Sequence, residues 1–205
     1  MEEKNEHLDA LRDIRSMMEK SSRFISLSGL SGIAAGCCAL AAAFYIWWQF
    51  NGQRLYDYTE ERNMVLVSSL LAVGLVTFAA AIVLAFLFTY LRSRKTGIPI
   101  WGNTAQRLML NTAIPLLVGG VVVLKLLQMG VIALVAPVCL LFYGLALING
   151  SKYTLREIRW LGFSELLLGM LNLWMTGYGL FFWALGFGVL HILYGAIMWW
   201  KYEKQ

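Results

Sequence analysis

Long apolar runs alternate with short polar connections along most of the chain. Six of the runs are long enough to cross a bilayer as helices, which takes about 20 mainly apolar residues each. The predicted spans are at about residues 24–49, 64–91, 108–127, 130–149, 159–176 and 180–200. The pattern therefore predicts an all-α polytopic membrane protein in which residues 24–205 form a single six-helix transmembrane domain.

Two of the connections between the predicted spans are very short. The third span meets the fourth near residues 128–130, and the fifth meets the sixth near residues 176–179. A short connection makes consecutive helices antiparallel neighbours. Each of these two pairs is therefore predicted to form a helical hairpin.

A polar segment, residues 1–23, precedes the first span. Apolar side chains recur in it at helical spacing, at Leu8, Leu11, Ile14 and Met18. This spacing predicts an amphipathic helix on the cytoplasmic side. The helix either binds a cytoplasmic protein or a second copy of itself, or lies along the membrane and leads the chain into the first span. The second interpretation is favoured because the apolar stripe is short.

The first span carries no charge between Phe24 and Phe50 and is rich in small side chains. Gly29, Gly32 and Gly36 follow each other at steps of three and four residues, so they share one face of a helix. Small residues let helix backbones come close in a bilayer, where van der Waals packing drives association. We therefore expect this helix to be enclosed by the others and to form the packing surface of the bundle.

The basic residues are concentrated in alternate connections. The N-terminal segment, the loops at 92–107 and 150–159, and the C-terminal tail hold all but three of the 17 lysines and arginines. The exceptions are Arg54, Arg62 and Lys125. Cytoplasmic segments of membrane proteins carry an excess of Lys and Arg. This distribution therefore predicts that both termini lie in the cytoplasm.

Composition and net charge agree with this topology. Hydrophobic residues make up 59% of the 205 residues, charged residues make up 14%, and the mean hydropathy is +0.64. A soluble domain this apolar would have too little polar surface to stay in solution. The net charge of +5 follows from the topology, so no nucleic acid partner is expected. Within the basic loop, Arg92, Arg94 and Lys95 are expected to contact anionic lipid headgroups.

The sequence contains no signature of an enzyme or of a metal site. The motifs HExxH and GxSxG and the glycine-rich phosphate loop are all absent. Cys37, Cys38 and Cys139 all fall within predicted spans, without a CxxC or Cys/His cluster. We therefore expect no catalytic residue, no metal ligand and no cofactor, and we interpret the cysteines as small buried hydrophobic residues.

Ionisable groups inside a span are costly, and two of them stand out. The fifth span carries one face of small and polar residues, Gly162, Glu165, Gly169, Asn172 and Thr176. On the sixth span, His191 lies between Gly188 and Gly195. Glu165 and His191 are each thirteen residues from Tyr178, the centre of the hairpin turn. Two antiparallel helices place such residues at equal depth, so the two side chains are predicted to be neighbours.

The predicted Glu165–His191 pair has two interpretations. Together with Asn172 and Thr176 it would form a polar substrate site or a proton relay, since carboxylate and imidazole groups exchange protons readily. Alternatively, it is a structural hydrogen bond that holds the hairpin together, which in a membrane contributes about 1 kcal/mol or less. The structural interpretation is favoured at this point.

Two functions follow from these features. The first is a non-enzymatic sensing, scaffolding or partner-binding protein, with residues 2–22 and the basic loop facing a cytoplasmic protein. The second is a small transporter or channel-like protein that uses the polar face of the last hairpin. The first is favoured because six short spans hold few polar groups for a solute path. A homo-oligomer would supply such a path between its subunits.

The segment from Lys20 to Gly36, KSSRFISLSGLSGIAAG, resembles the start of small bacterial inner-membrane proteins that have six predicted spans and no assigned activity. The resemblance covers only the beginning of the chain and the first span. It implies a bacterial cytoplasmic membrane as the location, and it carries over no functional residue.

Overall fold

The computed structural model describes residues 28–50, 60–97 and 100–204, apart from the side chains of residues 60–64 and 176. Every regular element in these ranges is helical. The helices are α1 (Gly29–Gln49), α2 (Glu60–Thr96), α3 (Asn103–Gln128), α4 (Ile132–Gly150), α5 (Arg156–Trp174) and α6 (Gly179–Tyr202). The predicted amphipathic helix at residues 1–23 lies outside the described residues.

Two of the helices depart locally from α-helical geometry. α4 begins with a 3₁₀ turn, Ile132–Leu134. α6 contains a π-helical segment, Ala184–Leu190, which is followed directly by the α-helical part His191–Tyr202. π-helical segments are rare and often lie at functional sites.

Five helices are long and apolar enough to cross a membrane, namely α1, α3, α4, α6 and the Val65–Thr96 part of α2. They indicate a multi-pass membrane protein. α5, which corresponds to the predicted span at 159–176, is not among them. It has 19 residues and includes Arg156, Glu157, Arg159 and Glu165.

The helices pack in a defined order. α1 lies between α2 and α6, while α4 packs against α3, against α5 and against the beginning of α6. The sequence predicts that α1 is enclosed by protein, but this is wrong for one of its sides. Phe44, Trp47 and Trp48 are 53–66% exposed there. Large aromatic side chains on that surface suit contact with lipid, whereas Gly36, Ala39 and Ala43 of the same helix are buried.

The glycines of α1 bring its backbone against that of α6. A Cβ atom on Gly29 would lie 2.4 Å from the Gly195 carbonyl oxygen, and one on Gly36 would lie 2.7 Å from the Gly188 oxygen. A Cβ atom on Gly32 would lie 3.2 Å from the Gly195 Cα. The two helices are therefore in backbone contact, which any larger side chain at Gly29 or Gly36 would prevent.

A second close approach joins α4 to α5. A Cβ atom on Gly162 would lie 2.9 Å from the Gly144 oxygen, and one on Gly169 would lie 2.8 Å from the Leu141 Cγ. The glycines of α5 thus face α4, whereas Gly188 and Gly195 of α6 face α1. Glycines on the faces of Glu165 and His191 would also allow α5 and α6 to approach each other closely, but these four glycines contact α4 and α1 instead.

Candidate functional site

Glu165 of α5 and His191 of α6 lie side by side in the interior of the bundle. The Glu165 Oε1 and the His191 Nδ1 are 3.5 Å apart. Glu165 has no solvent-exposed surface, and His191 is 7% exposed. The two side chains are therefore neighbours, as predicted from their equal distance to the hairpin turn. The glycines at positions 162, 169, 188 and 195 contact α4 and α1 instead.

Two hydrogen bonds fix the His191 ring. Its Nδ1 lies 3.0 Å from the Gly186 carbonyl oxygen, and its Nε2 lies 2.7 Å from the Tyr143 hydroxyl. A carbonyl oxygen only accepts, so Nδ1 carries the hydrogen and donates it. In the neutral ring Nε2 then accepts the hydrogen bond that Tyr143 donates.

Aromatic rings surround the imidazole on the side of α4 and within α6. The Phe187 ring centroid lies 5.0 Å from that of Tyr143 and 6.0 Å from that of His191. Trp183 continues this group, 5.2 Å from Phe187. These rings contribute to the burial of the imidazole, of which 7% remains exposed.

Neither Tyr143 nor Gly186 follows from the sequence pattern. In the sequence, a tyrosine inside an apolar span cannot be told apart from an aromatic residue that only packs against other helices. The one indication of another role is its hydroxyl group, which needs a hydrogen-bond partner when it is buried. Gly186 belongs to the π-helical segment, five residues before His191. A Cβ atom there would lie 2.5 Å from the Glu165 Oε2, so a larger residue at this position would displace the carboxyl group.

Two buried polar side chains lack hydrogen bonds within the described part of the chain. They are Glu165, through both carboxyl oxygens, and Asn172, through its amide oxygen and nitrogen. Both residues have no solvent-exposed surface. Leaving a buried polar group unsatisfied costs about 1–3 kcal/mol, and more for a charged group. Such groups call for an explanation in terms of a bound species or a catalytic or transport role.

The polar face of α5 extends beyond Glu165 only as far as Asn172. The two residues are seven positions apart on one helix face, about 10 Å along its axis. Gly169 lies between them. Thr176, the fourth predicted member of the polar site, lies in a 3₁₀ turn after the end of α5, and its side chain is outside the described set.

The three basic residues predicted to contact lipid headgroups have different surroundings. The Arg92 guanidinium is 9% exposed and lies 3.1 Å from the Glu203 Oε1. Arg94 lies over the Tyr90 ring, at 5.1 Å from its centroid. Lys95 is exposed. Arg94 and Lys95 are thus exposed and available to a headgroup, whereas Arg92 is part of an ion pair with Glu203.

No group of three or more His, Cys, Asp or Glu side chains that could hold a metal ion occurs among the residues described. The site consists of the Glu165 carboxyl group, the His191 imidazole, the Tyr143 phenol and the Asn172 amide. Groups of these kinds exchange protons or form hydrogen bonds with a small polar molecule. Comparison of the chain with protein-family models, with curated proteins and with solved structures gives no significant match.

Proposed function

We propose that this protein is a small transporter or channel-like membrane protein whose buried Glu165–His191–Tyr143 site carries a proton or a small polar solute. The observation that supports this most is Glu165, a fully buried carboxyl group whose two oxygens have no hydrogen-bond partner among the described residues. Intramembrane acids of this kind are expensive, and they mark ion and proton pathways.

The structural interpretation, a hydrogen bond that only holds helices together, fits this geometry less well. A residue kept for such a bond would make it, yet the His191 Nδ1 donates to Gly186 and the Glu165 Oε1 is 3.5 Å away. The carboxyl group thus lies beside the imidazole without forming a hydrogen bond with it. This arrangement leaves Glu165 able to take up and release a proton.

In the proposed topology the chain crosses a bacterial inner membrane six times, and both termini lie in the cytoplasm. α5 crosses the membrane in spite of its charged residues, because its polar face is covered by other helices. Glu165 and Asn172 are buried, and Glu157 is paired with Lys201 at 2.7 Å. An ionisable residue that faces protein costs much less than one that faces lipid.

The test is proton flux into liposomes that contain the purified protein and a trapped pH-sensitive dye. After a pH gradient is imposed, the Glu165→Gln variant is expected to lose at least tenfold in protein-dependent flux. Glu157→Gln is the matched control, since it makes the same change on the same helix outside the site. Equal flux from wild type and Glu165→Gln, with both proteins monodisperse, would contradict the proposal.

A second candidate function, sensing or scaffolding through a cytoplasmic partner, is supported by a cluster at one end of the bundle. The Glu203 carboxylate accepts hydrogen bonds from the Ser28 hydroxyl, from the Gly29 backbone N–H and from Arg92. These contacts join the start of α1 to the ends of α2 and α6. A partner that displaced the start of α1 would therefore affect three helices.

In this second function the partners are a cytoplasmic protein bound through residues 2–22, a second copy of the chain, or anionic lipid at Arg94 and Lys95 in the last turn of α2, and not nucleic acid. Deletion of residues 2–19 separates the two candidates in a complementation assay. A transporter is expected to retain activity after this deletion and to lose it with Glu165→Gln. A sensor is expected to show the opposite pair of results.

A further inference from the structure

The two unpartnered polar groups of α5 are separated by leucine side chains from α4. Leu141 lies on Gly169, the position between Glu165 and Asn172, and a Cβ atom on Gly169 would be 2.8 Å from the Leu141 Cγ. Its neighbour Leu140 has no exposed surface. Leu140 also reaches the Glu165 site, since a Cβ atom on Gly186 would lie 2.5 Å from both the Leu140 Cδ2 and the Glu165 Oε2.

We infer that Asn172 is a second binding position on the path of the proton, which holds water or another small hydrogen-bonding molecule, and that Leu140 and Leu141 form the barrier between it and Glu165. Four unmet hydrogen bonds on a fully buried amide are explained by a polar molecule of this size. The inference rests on the proposed transport function and adds to it the route by which a proton reaches Glu165.

The barrier follows from the chemistry of the intervening side chains. Water bridges polar groups only where it finds two or more polar partners. Between Asn172 and Glu165, α4 contributes leucine side chains to the described contacts and α5 contributes Gly169. A hydrophobic constriction of this kind blocks a water chain until the side chains move apart. Proton transfer to Glu165 from a water molecule held by Asn172 therefore requires displacement of the leucines.

The route also has a direction. Asn172 lies near the Trp174 end of α5, close to the turn that leads into α6. At the opposite end of α5, Lys201 and Tyr202 donate hydrogen bonds to Glu157. The polar groups at that end are thus satisfied by one another, whereas Asn172 is not. The structure therefore assigns the entrance for the proton to the end of the bundle where α5 ends and α6 begins.

The liposome flux measurement tests this inference with three alanine variants of α4. Leu141→Ala and Leu140→Ala are expected to raise proton flux at least tenfold by opening the barrier. Leu145→Ala is the control, since Leu145 lies one turn further along the same helix and is 46% exposed. In Leu141→Ala the added flux is expected to disappear when either Glu165→Gln or Asn172→Leu is also introduced.

The possible results separate the inference from the function on which it rests. If wild-type flux depends on Glu165 but neither leucine variant changes it, the barrier is disproved and the function stands. If flux does not depend on Glu165 in any variant, the function fails and the inference fails with it. An equal increase in Leu145→Ala would show a general leak and would overturn the barrier.

Thiol labelling measures water access without flux and covers the case in which Leu140→Ala does not fold. In a variant without Cys37, Cys38 and Cys139, a cysteine is introduced by Asn172→Cys or by Glu165→Cys. A small membrane-impermeant thiosulfonate added to each side in turn is expected to label position 172 from one side only. Position 165 is expected to be labelled only when Leu141→Ala is also present. Labelling of position 165 with Leu141 intact would overturn the barrier.

Discussion

Replacing Gly195 with leucine is expected to prevent the bundle from assembling. A Cβ atom on Gly195 would lie 2.7 Å from both the Gly29 carbonyl oxygen and the Ile33 backbone nitrogen. Since both atoms belong to the backbone of α1, no rotation of a side chain can relieve the overlap. Overpacking that forces side-chain and backbone shifts costs about 1–3 kcal/mol and occasionally more, and here the overlap falls on backbone atoms alone.

The measurement is the yield of monodisperse protein in detergent together with its thermal midpoint. Gly74→Leu on α2 and Gly120→Leu on α3 are the controls, because a Cβ atom on either glycine would meet no heavy atom within 4 Å. Both controls are expected to behave as wild type, since leucine is well tolerated on an open apolar helix surface. A Gly195→Leu protein with wild-type yield and midpoint would show that α1 and α6 are not in backbone contact.

Removing the Glu203 carboxylate is the second change with a large expected effect. Glu203→Ala removes acceptors for Ser28, for the N-terminus of α1 and for the Arg92 guanidinium, which is 9% exposed. Hydrogen bonds to charged groups contribute about 1.5–3 kcal/mol each, and Glu203→Ala removes several of them at once. We expect a loss of about 3 kcal/mol in the free energy of unfolding.

A double-mutant cycle in a chemical or thermal denaturation assay checks this result. Arg92→Met removes the cation, so Glu203→Ala is expected to cost less in that background than in the wild type. Lys204→Ala, a change at the exposed adjacent residue, is the control and is expected to have little effect. Equal costs of Glu203→Ala in the two backgrounds would mean that the ion pair does not stabilise the bundle.

The helical nature of the long apolar stretches can be predicted from the sequence, because a helix satisfies its own backbone in hydrocarbon. Five of the six predicted spans correspond to helices that are long and apolar enough to cross a membrane. Their ends are harder to predict. α2 extends past the predicted end at 91 to Thr96, and α3 begins at Asn103 rather than at 108. Polar residues continue a helix outside the apolar stretch, and basic residues such as Arg94 and Lys95 are favourable near a helix C-terminus.

The closeness of Glu165 and His191 can also be predicted, because equal spacing from a turn fixes depth in an antiparallel pair. The partner of each glycine face cannot be predicted in this way. A helix in a bundle has several neighbours. The pattern that makes Gly162 suitable for close packing does not identify the neighbouring helix that packs against it. Gly144 of α4 offers a matching backbone surface, and α5 packs there.

The π-helical segment also determines how α6 packs against both α4 and α1. Each residue turns a helix by about 100°, so a π-helical turn, with more residues than an α-helical one, changes the angular relation between the parts that flank it. The part before Ala184 packs against α4, and the part that follows Leu190 packs against α1. His191 stands at this junction. A deletion of one residue between 184 and 190 would restore ordinary winding and turn the imidazole away from Tyr143, so the segment sets the rotational phase on which the polar site depends.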